Sequence, residues 1–211
     1  YNANDNKSEG PGYVQIKGIG KYTGSRTEEF QIVSARLNDP EMVNPYGADG
    51  KATYTYDINP DGSDKDQFEE VKKNVVVSNG EVVYQEGIDY TISRAAGDAG
   101  TSAGTHYIVV TSTGTGQLRP GDSVKREYKV QPRSLTDPAM HFSITNYPNP
   151  VYDGRPKTPG LLIKYEPITG GSKTLVAGVD YATPLSYTNN TNASAPGSQA
   201  GVKATGKGNF C

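Results

Sequence analysis

An internal repeat constrains the fold of this 211-residue chain more than any other feature. A Gly-x-Gly signature follows a strand-like run three times, beginning at Gly18, Gly114 and Gly206. Two further signatures occur twice each: Gly-x-Asp-Tyr at 87–90 and 178–181, and a tyrosine-to-glycine turn at 46–50 and 152–154. The signatures keep their order at a spacing of about 90 residues, so the sequence predicts a tandem array with that period.

The repeat divides the chain into three predicted parts. Residues 1–34 read as the closing strands of a partial repeat, residues 35–132 as a complete repeat (the middle repeat), and residues 133–211 as a repeat that lacks its last strand (the last repeat). The closing strand is Glu-Phe-Gln-Ile at 29–32 and Glu-Tyr-Lys-Val at 127–130. Because two parts are incomplete, we expect the sequence to belong to a longer protein.

Short β-rich runs bounded by turn residues predict the fold class. Glycine, proline and tyrosine are abundant, with 25, 14 and 15 residues, and the runs lie at 75–77, 80–84, 90–93, 106–111 and 161–165. A repeat of about 90 residues with roughly seven short strands is typical of a β-sandwich. We therefore expect an all-β protein of tandem β-sandwich repeats, with two sandwich bodies joined end to end near residues 131–134.

One segment of the middle repeat predicts a short helical insert. Residues 63–73 combine a capping residue, Ser63 or Asp64, with acidic residues early and lysines late, as the helix dipole favours. Phe68 and Val71 form the expected buried stripe. The last repeat has no counterpart of this insert.

A second local signal predicts a hairpin. Ser78-Asn79-Gly80 lies between two valine-rich runs. Because Asn-Gly readily adopts positive φ angles, we expect a type I′ turn here.

Charge and composition exclude several functional classes. The chain has 21 Lys and Arg against 23 Asp and Glu, a net charge of −2 that excludes a strongly basic nucleic-acid binder. No apolar run approaches the ~20 residues that a membrane helix needs, so we expect no membrane insertion. The single cysteine, Cys211, excludes an internal disulfide and a cysteine-based zinc cluster. We interpret this cysteine either as the result of cutting or tagging a longer sequence, or as the site of an intermolecular disulfide.

The sequence predicts no enzyme. His106 and His141 lie far apart without metal or triad spacing, and we expect each to be a partly exposed strand residue. No nucleophile elbow and no phosphate-binding loop occurs. We therefore predict no catalytic, cofactor-binding or metal-binding residues, and no cofactor.

The stretch that begins at Asp57 is the part of the sequence that most resembles a ligand-binding site. Asp57, Asn59 and Asp61 have the alternate spacing that opens a calcium-binding loop. The twelfth loop position, which should be a bidentate acid, is Phe68, and Glu69 comes one place late. We favour a capped turn before the helix, and calcium binding stays an open alternative.

The last repeat resembles the Ig-like tandem repeats of large surface proteins in anaerobic Gram-positive bacteria. The resemblance rests on Tyr-Asp-Gly at 152–154, Lys-Thr-Leu with Gly-Val-Asp-Tyr at 173–181, Ser-Tyr-Thr-Asn-Asn-Thr-Asn-Ala at 186–193 and Thr-Gly-Lys-Gly-Asn-Phe at 205–210. Gly-Ile-Gly-Lys-Tyr-Thr-Gly at 18–24 matches the same closing motif. The middle repeat departs from the pattern at 94–97 and at Leu118, and Cys211 stands where threonine is usual.

The resemblance implies Ig-like repeats in an extracellular stalk or spacer of a bacterial cell-surface, adhesin-like protein, with no catalytic residues. The expected partners are neighbouring repeats. An alternative is a module that binds a host glycan or protein through exposed tyrosines; several coplanar tyrosines on one sheet face would favour it. A third expectation is head-to-tail self-association, in which residues 13–32 of one molecule complete the last repeat of the next.

Overall fold

The computed structural model describes residues 10–38, 41–47, 53–146, 151–192 and 199–211. Within these ranges the elements are, in chain order, β1 (Gly10–Lys17), β2 (Ser25–Ile32), β3 (Val43–Asn44), β4 (Tyr54–Thr55), α1 (Phe68–Asn74), β5 (Val76–Val77), β6 (Tyr90–Arg94), β7 (Gly104–Ser112), β8 (Ser123–Gln131), β9 (Met140–Thr145), β10 (Gly160–Tyr165), β11 (Lys173–Thr174), β12 (Ser186–Thr188) and β13 (Gly201–Lys203). The chain is therefore β-rich with one short helix in its described part, which confirms the all-β class.

The strands form small, mainly antiparallel sheets. The largest described sheet has the order β4-β8-β7-β6, in which β4 runs parallel to β8 with Tyr54 opposite Val130. The others are β1-β2, β3-β5, β11-β10-β9 and β12-β13. Ig-like sandwich topology stays a prediction.

The chain divides into two compact units. The first unit comprises the described residues up to Asn44, Val76–Ser93 and Val109–Lys125. The second comprises the described residues of Pro45–Val75, Arg94–Ile108 and Arg126–Cys211. The repeat boundaries after residues 34 and 132 stay a prediction.

Each unit has its own apolar core. In the first unit the buried residues include Leu37, Val43, Val77, Tyr90, Val110 and Leu118. In the second unit an aromatic cluster forms the centre: Phe210 meets Tyr56 edge-on with ring centroids 5.2 Å apart, and Tyr165 at 6.1 Å. Such edge-to-face contacts add to the stabilisation that area burial provides.

The helix is shorter than the sequence predicts. It begins at Phe68, not at residue 63, because the side chain of Asp64 accepts hydrogen bonds from elsewhere in the second unit and does not cap it. The carboxylate of Asp66 instead accepts the amide hydrogen of Phe68 at 2.9 Å. Phe68 and Val71 are buried, as predicted.

The turn at residues 78–80 also differs from its prediction. Among the described residues, only Asn146 and Asn189 combine a side chain with positive φ, so Asn79 is not in a type I′ turn. Its side-chain oxygen accepts the amide hydrogens of Glu81 and Val82, and this fixes a wider turn closed by the Ser78–Val83 bridge. The predicted strand at 80–84 is reduced to that bridge.

Candidate functional site

The Gly-x-Asp-Tyr signature forms a hydrogen-bonded turn in the first unit. Asp89 accepts the amide hydrogens of Gln85 and Gln117, each at 2.8 Å. Gly87, with φ of 82°, donates its amide hydrogen to the carbonyl of Tyr90 at 2.8 Å. Asp89 is buried, and its two carboxylate oxygens each have an amide donor, so the group stabilises the turn.

The second copy of this signature makes the same turn in the second unit. Asp180 accepts the amide hydrogen of Val176 at 2.8 Å, and Gly178, also with φ of 82°, donates to Tyr181 at 2.8 Å. Tyr181 is buried, as Tyr90 is in the first unit. In both copies the aspartate binds backbone amides, as this signature favours at a turn. Tyr90 begins β6, whereas Tyr181 forms only isolated bridges with Ala177 and Gly206.

A polar cluster of the second unit surrounds Arg133, inside the predicted joint at 131–134. Its guanidinium donates to the carbonyl of Tyr56 and to Asp137, each at 3.1 Å. The same group lies 5.3 Å from the ring centroid of Tyr165, and the backbone amide donates to the carbonyl of Asn209 at 2.9 Å. One residue thus binds segments of both the middle and the last repeat.

Two aspartates of the 57–64 loop extend this cluster. Asp57 accepts the hydroxyl hydrogen of Tyr165 at 2.8 Å. Asp64 accepts the hydroxyl hydrogen of Tyr56 at 2.6 Å and forms an ion pair with Lys173. We call Asp57, Asp64, Arg133 and Lys173, with the two tyrosines, the joint cluster.

The environment keeps both phenols of the joint cluster protonated. Burial, followed by the hydrogen bond to Asp64, raises the pKa of Tyr56 far above its ordinary value. Burial and the hydrogen bond to Asp57 raise the pKa of Tyr165 in the same way. Each tyrosine is therefore a hydrogen-bond donor across the physiological pH range, and neither is poised to act as a base.

Close backbone approach also joins the 57–64 loop to the last repeat. Gly62 has φ of 83°, and a Cβ there would lie 2.8 Å from the carbonyl oxygen of Ser172. Gly171 has φ of 89°, and a Cβ there would overlap the carbonyl oxygen of Asn59. Both positions need glycine for its left-handed conformation and for the space.

The candidate calcium ligands are used within the turn itself. Asp61 accepts the amide hydrogen of Ser63 at 2.9 Å and its hydroxyl hydrogen at 2.6 Å, and the side-chain amide of Asn59 donates to the same hydroxyl at 3.0 Å. Asp57 already accepts from Tyr165 and from its neighbouring amide. No group of three or more His, Cys, Asp or Glu side chains in the described ranges could hold a metal ion. This arrangement favours the capped turn.

The two histidines have different environments. His106 is buried in β7, so the expectation of a partly exposed side chain is wrong for it. One ring nitrogen lies 2.7 Å from Asp98 and the other 2.7 Å from the carbonyl of Ser102, and the ring packs 5.4 Å from that of Tyr128. His141 is exposed on β9, as expected.

Asp98 is the acceptor that organises this buried pocket. It also accepts the amide hydrogens of Tyr107 at 2.6 Å and Gly100 at 3.0 Å. Burial acts to raise the pKa of Asp98, but the hydrogen bonds from His106 and from these two amides outweigh it, so the pKa is lowered from 3.8. Burial and the carboxylates of Asp98 and Asp66 raise the pKa of Tyr128 to about 12.

Most described tyrosines lie in the cores, and they form no exposed platform. The buried ones are Tyr54, Tyr56, Tyr84, Tyr90, Tyr128, Tyr165 and Tyr181. Within the described ranges, the largely exposed ones are Tyr22 and Tyr152, which belong to different units. Only part of the 46–50 turn can be compared with that at 152–154, because residues 48–50 lie outside the described residues.

Each unit also has an open groove. In the first unit a groove of about 670 Å³ contains Asp89 and Tyr84, but the carboxylate of Asp89 is already used by the turn. In the second unit a more apolar groove of about 550 Å³ is lined by Leu135, Thr136, Phe142, Ser143, Ile144, Leu161, Val202, Lys203 and Ala204. We call the latter the apolar groove.

Comparisons with known proteins assign neither a family nor a function to this chain. No family model, no curated protein and no solved structure matches this chain. Among the described residues, no helix has the length and apolar character needed to cross a membrane.

Proposed function

We propose that this chain is a non-enzymatic spacer module, part of the extracellular stalk of a bacterial cell-surface, adhesin-like protein. The observation that carries the proposal is the joint cluster. Through Arg133, Asp57 and Asp64, segments of the middle and last repeats are tied by ion pairs, buried tyrosines and close backbone contact. A stalk that transmits force needs consecutive repeats to be braced against each other, and this cluster supplies such a brace.

The tyrosine distribution supports the same proposal. A glycan-binding module presents aromatic rings to solvent, whereas most tyrosines in the described ranges are buried in the cores. The buried carboxylates, Asp89 and Asp180, hold turns together. The polar side chains that most resembled candidate binding groups in the sequence therefore have structural roles.

Pulling experiments on single molecules test the brace. Arg133→Ala removes the guanidinium contacts to Tyr56 and Asp137, so we expect it to unfold at a lower force than the wild-type chain. Lys73→Ala removes an exposed ion pair with Glu70 and is the matched control, which we expect to unfold like wild type. Equal unfolding forces for Arg133→Ala and wild type would contradict the proposed role.

Binding arrays test the alternative. A spacer binds no glycan or host protein in a saturable way. Saturable binding that is lost in Tyr22→Ala or Tyr152→Ala would replace the spacer with a binding module.

A further inference from the structure

The sequence contains one Asn-Gly dipeptide, Asn79-Gly80, and it lies in the turn that the Ser78–Val83 bridge closes (the 78–83 turn). Glycine after asparagine leaves the next backbone nitrogen open to the asparagine side chain, because glycine has no Cβ to hinder the approach. Both residues are exposed, and no described atom beyond the chain neighbours lies within 4 Å of where a Cβ on Gly80 would be. The dipeptide therefore has the space and the solvent access that a reaction between these two groups needs.

Two backbone amides hold the side-chain carbonyl of Asn79. Its oxygen accepts the amide hydrogens of Glu81 at 3.1 Å and of Val82 at 2.8 Å. Donors at a carbonyl oxygen draw electron density away from the carbon, and they stabilise the negative charge that the oxygen gains when a nucleophile adds. The Cγ atom of Asn79 is therefore activated as an electrophile.

The hydrogen bond from Glu81 also places the electrophile and the nucleophile in one small ring. This ring runs from Oδ1 through Cγ of Asn79 and the backbone nitrogen of Gly80 to the amide of Glu81, so it contains both reacting atoms. The amide of Asn79, which donates to the carbonyl of Val82 at 3.2 Å, closes the turn from the other side. Restricting the side chain in this way reduces the entropy that is lost on reaching a reactive geometry.

Ser78 supplies an acceptor for the proton that the nucleophile must lose. The backbone amide of Gly80 donates its hydrogen to the hydroxyl oxygen of Ser78 at 2.9 Å. A hydroxyl both accepts and donates, so it can pass this proton on to solvent. Three consecutive residues thus present a proton acceptor, an activated carbonyl and a backbone nucleophile.

Asn209 provides a comparison within the same chain. Its side-chain oxygen accepts the amide hydrogen of Ala103 at 2.7 Å, so its carbonyl is also polarised. The residue that follows it is Phe210, whose large side chain is buried and hinders the approach of its own backbone nitrogen. Polarisation without a following glycine therefore leaves Asn209 unreactive.

We propose that the 78–83 turn promotes its own deamidation, in which the backbone nitrogen of Gly80 attacks Cγ of Asn79. The N–Cγ bond forms, the Cγ–Nδ2 bond breaks, and the side-chain nitrogen leaves as ammonia with the proton that the Gly80 amide has lost. The product is a cyclic succinimide. Solvent water then opens this ring, at Cγ to give aspartate or at the backbone carbonyl carbon of residue 79 to give isoaspartate.

The modification changes the groove of the first unit, which Asn79 lines together with Asp89. Either product adds a negative charge there. The aspartate keeps an acceptor for both amides and binds them more strongly, because a charged acceptor forms the stronger hydrogen bond. The isoaspartate adds one carbon atom to the backbone and shifts the register of the Ser78–Val83 bridge. The reaction depends only on the turn, independently of a spacer role.

Incubation of the folded full chain at mildly alkaline pH tests the reaction. Peptide mapping by mass spectrometry follows the conversion of Asn79, and heavy-oxygen water labels the product with oxygen from the solvent. We expect Asn79 to convert while Asn209 in the same molecules does not. A chain in which Asn79 stays intact, or in which Asn209 converts as fast, overturns the proposal.

A synthetic peptide of residues 76–85 separates the effect of the turn from that of the dipeptide. It has the same sequence around Asn79, but an isolated two-stranded hairpin is marginally stable at best in water. We expect Asn79 to convert about tenfold faster in the folded chain than in the peptide, which corresponds to ~1.4 kcal/mol of activation free energy. A peptide that converts as fast as the folded chain contradicts promotion by the turn.

Serine variants test the proton acceptor. Ser78→Ala removes the hydroxyl, so we expect the conversion of Asn79 to slow toward the rate of the peptide, whereas Ser78→Thr keeps a hydroxyl and the faster rate. Ser93→Ala changes an exposed serine of β6 in the same unit and is the matched control, which converts like wild type. If a folded Ser78→Ala chain converts as fast as wild type, Ser78 is not the acceptor.

Discussion

The carboxylate of Asp64 shows how one residue of this chain connects distant segments. It accepts a hydrogen bond from the buried Tyr56 and pairs with Lys173, which lies 109 positions further along the chain. Both charged side chains are partly exposed, so solvent weakens their attraction. The hydrogen bond from a buried phenol adds to it, because an unpaired polar group in a core is costly.

Asp64→Asn tests this residue. The amide keeps an acceptor for Tyr56 but loses the charge that Lys173 pairs with, so we expect the free energy of unfolding to fall by about 1 to 2 kcal/mol. Urea denaturation measures this change in the free energy of unfolding. Lys73→Ala, which breaks an exposed pair, is expected to cost less than about 0.5 kcal/mol. A change no larger than that of the control would show that the Asp64 ion pair is not stabilising.

At the scale of elements, loops as well as strands determine the contacts of the second unit. The 57–64 loop meets the 171–172 turn backbone to backbone, which is possible because neither Gly62 nor Gly171 has a side chain. Helix α1 follows shortly after the loop and begins at Phe68, whose amide hydrogen the carboxylate of Asp66 accepts. The loop is therefore a packed element, and its glycines are part of the packing.

Alanine substitutions at two glycines with similar backbone angles distinguish the cost of backbone strain from the cost of a steric clash. Gly62 and Gly97 have φ of 83° and 79°, but only Gly62 has a neighbouring atom where a Cβ would lie. Gly97→Ala is expected to cost about 1 kcal/mol through left-handed strain alone. Gly62→Ala carries the same strain and also displaces the carbonyl of Ser172, so we expect a larger loss. Thermal unfolding measures both, and equal losses would mean that the close contact does not matter.

At the scale of the whole molecule, stability depends on pH through the partly buried carboxylate of Asp98. The pKa of Asp98 is lowered in the folded state, because its hydrogen bonds with His106 and with two amides favour the charged form. A lowered pKa means that the unfolded chain binds a proton more readily. The resulting stabilisation is present above the unfolded pKa and is lost as pH falls through the folded value.

Asp98→Asn removes this dependence. We expect wild-type thermal stability to decline as the pH is lowered past about 4, while the variant starts lower and declines less steeply. Melting curves between neutral and acidic pH provide the measurement. If the two curves run parallel throughout this range, Asp98 is not the source of the acid sensitivity.

Several features could be predicted because their causes are local. The Gly-x-Asp-Tyr turn closes through hydrogen bonds between residues that are neighbours in sequence, such as Asp180 with Val176. Strands such as β7 and β10 follow from runs of β-branched and aromatic residues, and the burial of Phe68 and Val71 follows from their spacing. These features need little information from the rest of the chain.

The sequence by itself therefore determined the β-rich class, the signature turns and the core face of the helix, because short-range hydrogen bonds and side-chain periodicity specify them. Only the tertiary structure decided that Asp64 pairs with Lys173 instead of capping a helix, that His106 is buried beside Asp98, and that Gly62 faces a distant carbonyl. Each depends on segments far apart in the chain, and which polar group finds a buried partner is set by packing that no local pattern encodes.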